Sequence, residues 1–86
     1  MGRAELAAIE NGGIGEATGD MFYRLGMIYS VGGEVPADFV TAHKWFNLAA
    51  LRGNADAVRL RREIADEMTE AEIASAQRAA RAWLRH

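Results

Sequence analysis

The chain contains no cysteine and a single proline, Pro36, among its 86 residues. Without cysteine it can form neither a disulfide framework nor a thiolate metal site. No apolar run approaches the ~20 residues of a membrane-spanning helix, and the first residues lack the apolar centre of a secretory signal peptide. We therefore expect a soluble, cytoplasmic protein with no membrane partner.

An excess of one charge is also lacking, because 10 basic residues face 12 acidic residues and the pI is about 5.6. Arg59, Arg61 and Arg62 form the only basic cluster along the chain. A nucleic-acid-binding domain usually has a basic face on a basic chain, so we predict no nucleic-acid partner. These arginines fit better on a solvated helix face, paired with Glu63 and Asp66.

Residues that could carry catalysis are scarce. Serine occurs only at Ser30 and Ser75, and His43 is the only internal histidine, so no serine–histidine–aspartate set can be argued. Asn47, one helical turn after His43, is a poor metal ligand. Residues 13–18 begin like a dinucleotide-binding fingerprint but lack its third glycine and a preceding strand. We predict a protein that is not an enzyme and has no cofactor or metal.

The sequence does contain helical patterning over most of its length. Apolar residues recur at helical spacing in residues 4–11, 20–30, 39–52, 55–68 and from 69 onward, the first of these being weak. Thr18 or Asp20, then Asp38 and Thr69, are short polar residues that can cap the following helices, and Thr69 with Glu72 matches a capping box. The sequence predicts an all-α fold of about four to five helices.

The helices at 20–30 and 39–52 form the best-defined unit. Gly26 lies inside the first, where glycine costs ~1 kcal/mol relative to alanine, and close approach of another helix would offset that cost. A narrow stripe of small and aromatic residues follows the second helix, made by Ala42, Phe46, Ala49 and Gly53 and widened by Trp45 and Leu48. Glycine and proline mark the turn between them, so we predict an αα-hairpin of two antiparallel helices.

Within this hairpin the chain reads L-G-x-x-Y-x-x-G, then V-P-x-D, then A-x-x-W-F-x-x-A-A-x-x-G-N-A. The residues of this motif are Leu25, Gly26, Tyr29, Gly32, Val35, Pro36, Asp38, Ala42, Trp45, Phe46, Ala49, Ala50, Gly53, Asn54 and Ala55. Together they resemble the Sel1-like repeat of small bacterial proteins, a relative of the tetratricopeptide repeat. One departure is Glu34, which occupies the position two before the proline where the family usually has glycine.

The resemblance implies an array of antiparallel helix hairpins with one good repeat and degenerate flanking helices. We expect a single domain over residues 1–86. Its parts are a weak N-terminal helix with a glycine-rich connection (1–17), the repeat hairpin (18–53) and a C-terminal capping hairpin (54–86). Proteins of this family are typically adaptors in bacterial and eukaryotic complexes, so the resemblance implies a non-catalytic protein–protein interaction module.

In such arrays the first helix of each hairpin faces inward, and a partner peptide or helix lies across it. We therefore predict that residues 20–30 and 55–68 line a shallow concave surface that binds another protein of unknown identity. The candidate partner-binding residues are Phe22, Arg24, Met27, Arg59, Arg62 and Glu63. The alternative for Phe22 and Met27 is burial against the first or last helix. His43, Lys44 and Asn47 lie off the packing stripe and should face water.

One repeat and parts of two others are fewer than the roughly three units that a helical array usually needs. Either the terminal helices fold back as caps, or an uncovered face pairs with another molecule. The alternative function is accordingly a structural, self-associating subunit without a peptide groove. In that case the apolar stripe of the last helix, from Ile73 to Leu84, would pack on a like helix in a homo-oligomer.

Overall fold

The computed structural model describes residues 3–10 and 17–85 of the chain. The helices in these ranges are α1 (Arg3–Glu10), α2 (Gly19–Val31), α3 (Phe39–Leu51), α4 (Ala55–Ala65) and α5 (Glu70–Leu84). The described residues contain no strand. The predicted all-α fold is therefore confirmed.

Short polar side chains begin each of the four longer helices. Thr18, Asp38 and Asn54 cap α2, α3 and α4, each accepting a hydrogen bond from the backbone N–H three residues on, at 3.2, 3.1 and 2.9 Å. At the start of α5, the Thr69 hydroxyl accepts from the Glu72 backbone N–H at 3.1 Å, and the Glu72 carboxylate accepts from the Thr69 backbone N–H at 2.8 Å. These caps satisfy backbone donors that the helix itself leaves unpaired, and the predicted capping box is confirmed.

The helix boundaries agree with the sequence prediction within a residue, except at the end of α4; the predicted end of the first helix, at residue 11, lies outside the described residues. The prediction extended this helix to residue 68, whereas α4 ends at Ala65. The N–H groups of Glu67 and Met68 donate to the carbonyls of Ile64 and Ala65 at 3.0 and 3.1 Å, so the chain tightens into a turn there. The expected glycine-rich connection falls largely on residues 11–16, which lie outside the described residues.

α2 and α3 pack as an antiparallel pair. At one end of α2, a Cβ built on Gly19 would lie 3.0 Å from the Arg52 carbonyl oxygen and 3.2 Å from that of Ala49. Further along α2, a Cβ on Gly26 would overlap the ring of Phe46. Residue numbers thus rise along one helix and fall along the other, and the predicted close approach at Gly26 is confirmed.

The connection between α2 and α3 is held by backbone geometry. Gly32 and Gly33 adopt φ values of 80° and 99°, a region that other residues rarely occupy. The Asp38 N–H donates to the Tyr29 carbonyl at 2.8 Å, which joins the end of α2 to the cap of α3. The turn therefore forms a fixed corner of the molecule.

α3 is the central helix, because α2, α4 and α5 all pack on it. Of the predicted stripe, Ala42, Phe46 and Ala49 are fully buried, as are Trp45 and Leu48, whereas Gly53 lies beyond the end of α3 and is exposed. Because other helices pack on several sides of α3, the part of its surface that faces water is narrower than in an ordinary amphipathic surface helix.

The prediction that His43, Lys44 and Asn47 face water is wrong for His43, which is only 4% exposed. Lys44 is half-buried and its ammonium lies 4.0 Å from the centroid of the Trp45 ring. Asn47 is half-buried and accepts a hydrogen bond from Arg61 of α4. The error arises because the stripe was assigned for one neighbouring helix, whereas α3 has three.

The two terminal helices meet and close the core. Trp83 of α5 packs edge-on against Phe22 at 5.1 Å and against Trp45 at 6.1 Å between ring centroids. Its indole Nε1 donates to the carbonyl of Ile9 in α1 at 3.3 Å, and Ile9 is fully buried. The terminal helices therefore fold back onto the hairpin as caps, which is the first of the two arrangements considered from the sequence.

Candidate functional site

A groove opens at the corner where the α2–α3 turn meets the start of α5. Its volume is about 640 Å³. We call it the turn groove; it is lined by Tyr29, Val35, Pro36, Ala37, Asp38, Phe39, Val40 and Glu72. Small-molecule sites in proteins are commonly concave spaces of about 300–1,000 Å³, and the turn groove lies within that range.

Local sequence explains why apolar side chains collect in this groove. Val35 and Pro36 occupy the turn, where polar residues are usual, and Phe39 and Val40 open α3 immediately after its cap. Val35, Phe39 and Val40 are each half-buried, so part of their surface remains available in the groove. The cap at Asp38 fixes the start of α3 and with it the direction of these side chains.

Carboxylates lie among these apolar residues. Asp38 accepts hydrogen bonds from the Thr41 backbone N–H at 3.1 Å and from its hydroxyl at 2.8 Å, and these bonds lower the pKa of the Asp38 carboxyl. Glu72 contributes a second carboxylate from α5. Asp38 is therefore a fixed negative charge at neutral pH.

Tyr29 connects the groove to the N-terminal helix. Burial raises the pKa of its hydroxyl, and a hydrogen bond donated to Glu10 of α1 raises it further. Burial lowers the pKa of Lys44, and the negative charges of Glu10 and Asp38 offset part of this effect. The carboxylates of Glu10, Asp38 and Glu72 outnumber the ammonium group of Lys44, so the surroundings of the turn groove carry a net negative charge.

Phe22 was predicted as a candidate apolar anchor for a partner, and the structure contradicts this. It is fully buried, stacked on Trp45 at 5.8 Å and met edge-on by Trp83. Trp83 comes from the far end of the chain and covers the face of α2 that a lone hairpin would expose. The alternative weighed from the sequence, burial against a terminal helix, is the correct one.

The other predicted partner-binding residues divide between surface and core. Arg24, Arg59, Arg62 and Glu63 are exposed, whereas Met27 is half-buried and packs against the core. Arg59 lies 3.4 Å from Glu63, the pairing expected from the sequence, and 3.9 Å from Asp56, whereas Arg61 donates to Asn47 and no ion pair with the expected partner Asp66 is found among the described residues. The predicted surface on α2 and α4 therefore loses Phe22 as an anchor and keeps only the partly exposed Met27 of its two apolar candidates.

The motif residues occupy packing and turn positions. Tyr29 and Ala50 are half-buried, and the turn residues Pro36, Asp38 and Gly53 are exposed. The fully buried members are Leu25, Gly26, Ala42, Trp45, Phe46 and Ala49. Four of the motif residues line the turn groove, namely Tyr29, Val35, Pro36 and Asp38.

Sequence reasoning missed Phe39, Val40 and Glu72 as site residues, and gave Val35 only a place in the motif. A signal was present, because apolar residues stood on both sides of the helix cap at Asp38, where a solvated turn would carry polar ones. Glu72 could not be placed beside them, since its approach depends on how α5 folds back.

Two buried polar atoms on α3 find no hydrogen-bond partner among the described residues, namely His43 Nδ1 and Trp45 Nε1. Burial lowers the pKa of His43, and the positive charge of Arg61 lowers it further. Residues two apart on a helix point in nearly opposite directions, so these atoms do not form a common site.

Within residues 3–10 and 17–85, no three histidine, cysteine, aspartate or glutamate side chains group closely enough to hold a metal ion. No helix in the same ranges combines the length and the apolar character required to cross a bilayer.

Comparisons with known proteins give no relative. No family model matches the chain, and neither a curated protein nor a solved structure matches it.

Proposed function

We propose that this chain is a non-catalytic protein-binding module that holds a segment of a partner protein in the turn groove. The observation that carries the proposal is the combination of an open space of about 640 Å³, an apolar lining and fixed carboxylates. An apolar side chain of the partner would displace water from Val35, Phe39 and Val40, and burial of apolar surface drives such association.

Charge determines which segment fits best. Asp38 and Glu72 line the groove, and Glu10 lies next to Tyr29. A lysine or arginine beside the apolar anchor of the partner would face these carboxylates, whereas an acidic residue would be repelled. The preferred partner is therefore a segment with one apolar anchor flanked by basic residues.

Hydrogen bonds hold the backbone around the groove in place, so a partner would meet a preformed site. Asp38 caps α3, its N–H holds the Tyr29 carbonyl, and the capping box holds the start of α5. A preformed site loses less conformational entropy when it binds, so more of the contact energy contributes to affinity.

We extend the proposal to the Sel1-like family. It is supported by the roles of the motif residues: Gly26 admits the ring of Phe46, and Asp38 caps α3. Gly53, with φ of 91°, ends the hairpin. The adaptor role and the cytoplasmic location implied by the sequence stay predictions of the same kind.

The alternative, self-association through the stripe on α5, has less support. Ala76 and Ala80 of that stripe are buried in the single chain, and Ile73 and Trp83 are half-buried. Leu84 alone among its large apolar residues is exposed, at 46%. Most of the surface that the alternative needs is therefore already covered.

An NMR titration tests the proposal. We would add peptides that place a leucine or phenylalanine beside arginine and, in a matched set, beside glutamate. The basic set should shift the amide signals of Val35, Phe39 and Val40, and the acidic set should not. Shifts that cluster on another surface, or that the acidic peptides produce equally, would contradict it.

A matched pair of variants separates the groove from the general surface. Ala37 is an exposed lining residue, so Ala37→Arg fills the groove with a bulky cation and should abolish the shifts. Leu51→Arg places the same side chain at the opposite end of α3, where Leu51 is 67% exposed, and should leave binding unchanged. Equal binding by both variants would remove the turn groove as the site.

A further inference from the structure

A second surface, on α5, has the opposite charge. Arg78, Arg81 and Arg85 line one shallow cleft of about 230 Å³ together with Ala82, and all four residues are exposed. Spacings of three and four residues place these arginines on a single stripe of the helix. We propose that this stripe, the α5 arginine face, binds an acidic segment of a partner protein, independently of the turn groove.

The charge of this face is not neutralised within the described residues. The side chains of its three arginines make no hydrogen bond or ion pair with another described residue, whereas that of Arg59 on α4 pairs with Asp56 and Glu63. The acids of α5, Glu70 and Glu72, lie in its first turn, beyond the reach of a side-chain pair along the helix. The stripe is therefore available to an external anion.

Compensation of the helix macrodipole accounts for only part of the stripe. Arg81 lies in the last turn of α5 and Arg85 is its C-cap residue, so both face the partial negative charge of the helix end. Arg78 precedes the last turn, and the dipole effect falls off within that turn. The third arginine extends the positive surface beyond what the helix itself requires.

The chemistry of guanidinium groups points to carboxylates as the ligand. Each guanidinium can hold a carboxylate by two parallel hydrogen bonds. From Arg78 to Arg85 the stripe spans about 10 Å along the helix axis, at the usual rise per residue. A short run of glutamates or aspartates can meet all three arginines along that length.

Other occupants fit less well. A second copy docking by the same face would bring its own arginines against these, which is repulsive. Nucleic-acid binding usually calls for a basic domain, and this chain has a net charge of −2. Recognition of anionic membranes typically uses clusters of about four to eight basic residues, more than this face provides.

Fluorescence anisotropy with a labelled glutamate-rich peptide tests the proposal. The variant Arg78→Gln/Arg81→Gln/Arg85→Gln should bind this peptide about tenfold or more weakly, since exposed ion pairs account for about two- to fivefold each. The matched control Arg24→Gln/Arg59→Gln/Arg62→Gln removes the same charge from α2 and α4 and should change affinity less than about twofold. Added salt should weaken binding of the unaltered chain.

Several results would overturn the proposal. They are no binding of the glutamate-rich peptide, equal binding of a glutamine-rich peptide, or an equal loss in the control variant. Tighter binding of a thymidine oligonucleotide or of anionic vesicles, or self-association that the α5 variant abolishes, would assign the face to another occupant.

Two further variants keep the outcome interpretable. If the glutamine variant lost its helical circular-dichroism spectrum, Arg78→Lys/Arg81→Lys/Arg85→Lys would decide: a clear loss of affinity supports carboxylate recognition by guanidinium groups, and unchanged affinity overturns it. Ala37→Arg, which blocks the turn groove, should bind the acidic peptide as the unaltered chain does. These measurements therefore distinguish an error in the proposal for the turn groove from an error in the proposal for the α5 arginine face.

Discussion

Substituting Gly26 by alanine tests the packing on which the whole fold rests. A Cβ at this position would lie 2.5 Å from Phe46 Cδ1 and 2.9 Å from its Cζ, whereas carbon atoms in contact are ordinarily ~3.5–4.0 Å apart. Phe46 is fully buried, so its ring has no free space into which to turn. The two helices must therefore separate by about 1 Å to restore ordinary contact.

Two opposing terms decide the sign of the effect. Alanine is the better helix former by ~1 kcal/mol in a helix interior. Overpacking of a buried contact typically costs ~1–3 kcal/mol, and the required shift places Gly26 toward the upper end of that range. We expect a net loss of about 1–2 kcal/mol in the free energy of unfolding, which lowers the melting temperature by ~4–8 °C per kcal/mol in a domain of this size.

Urea denaturation followed by tryptophan fluorescence and by circular dichroism measures this loss. Arg24→Ala, at an exposed position of the same helix, is the control and should stay within ~0.5 kcal/mol of the unaltered chain. In the double variant Gly26→Ala/Phe46→Leu the smaller side chain makes room, so the two changes should couple favourably by about 1 kcal/mol. Stabilisation by Gly26→Ala alone would refute the close contact between α2 and α3.

Three other perturbations have defined outcomes. Phe22→Ala removes a fully buried ring from between Trp45 and Trp83, so unfolding in urea should show a loss of ~3–5 kcal/mol; an effect below 1 kcal/mol would return Phe22 to the surface. Because burial and a nearby positive charge lower the pKa of His43 in the folded state, protonation favours the unfolded chain: stability is complete above the unfolded pKa of about 6.5 and decreases as the pH falls below it. Thermal melts from pH 8 to pH 5 should show this decrease, and His43→Gln should lessen it. Gly53→Ala should cost ~1–2 kcal/mol although nothing lies within 4 Å of the new Cβ, because its φ is 91°; melting at the original temperature would show that the backbone there relaxes freely.

The two candidate surfaces differ in how far the sequence could predict them. Spacings of three and four residues separate the arginines of α5 along the chain, so a linear reading of the sequence does not reveal them as a cluster. The turn groove needs both the α2–α3 connection and Glu72 of α5. A contact between elements so distant in sequence has no local signature.

The error at Phe22 has the same origin. α2 is apolar on more than one side, with Phe22 and Leu25 both buried and Met21 and Met27 half-buried. The sequence alone could not show whether its second apolar side was a binding surface or a part of the core. The indole of Trp83 covers that side and makes it core.

The sequence by itself determined where the four longer helices start and that α2 and α3 form a hairpin. Caps such as Thr18, Asp38 and Thr69 act within three residues of themselves, and the match of Gly26 to Phe46 needs only two neighbouring helices. Only the tertiary structure decided which apolar surface remained outside. The core is closed by the contact between Trp83 and Ile9, which lie 74 residues apart. Burial of this kind depends on how distant parts of the chain pack together, and no local pattern in the sequence shows it.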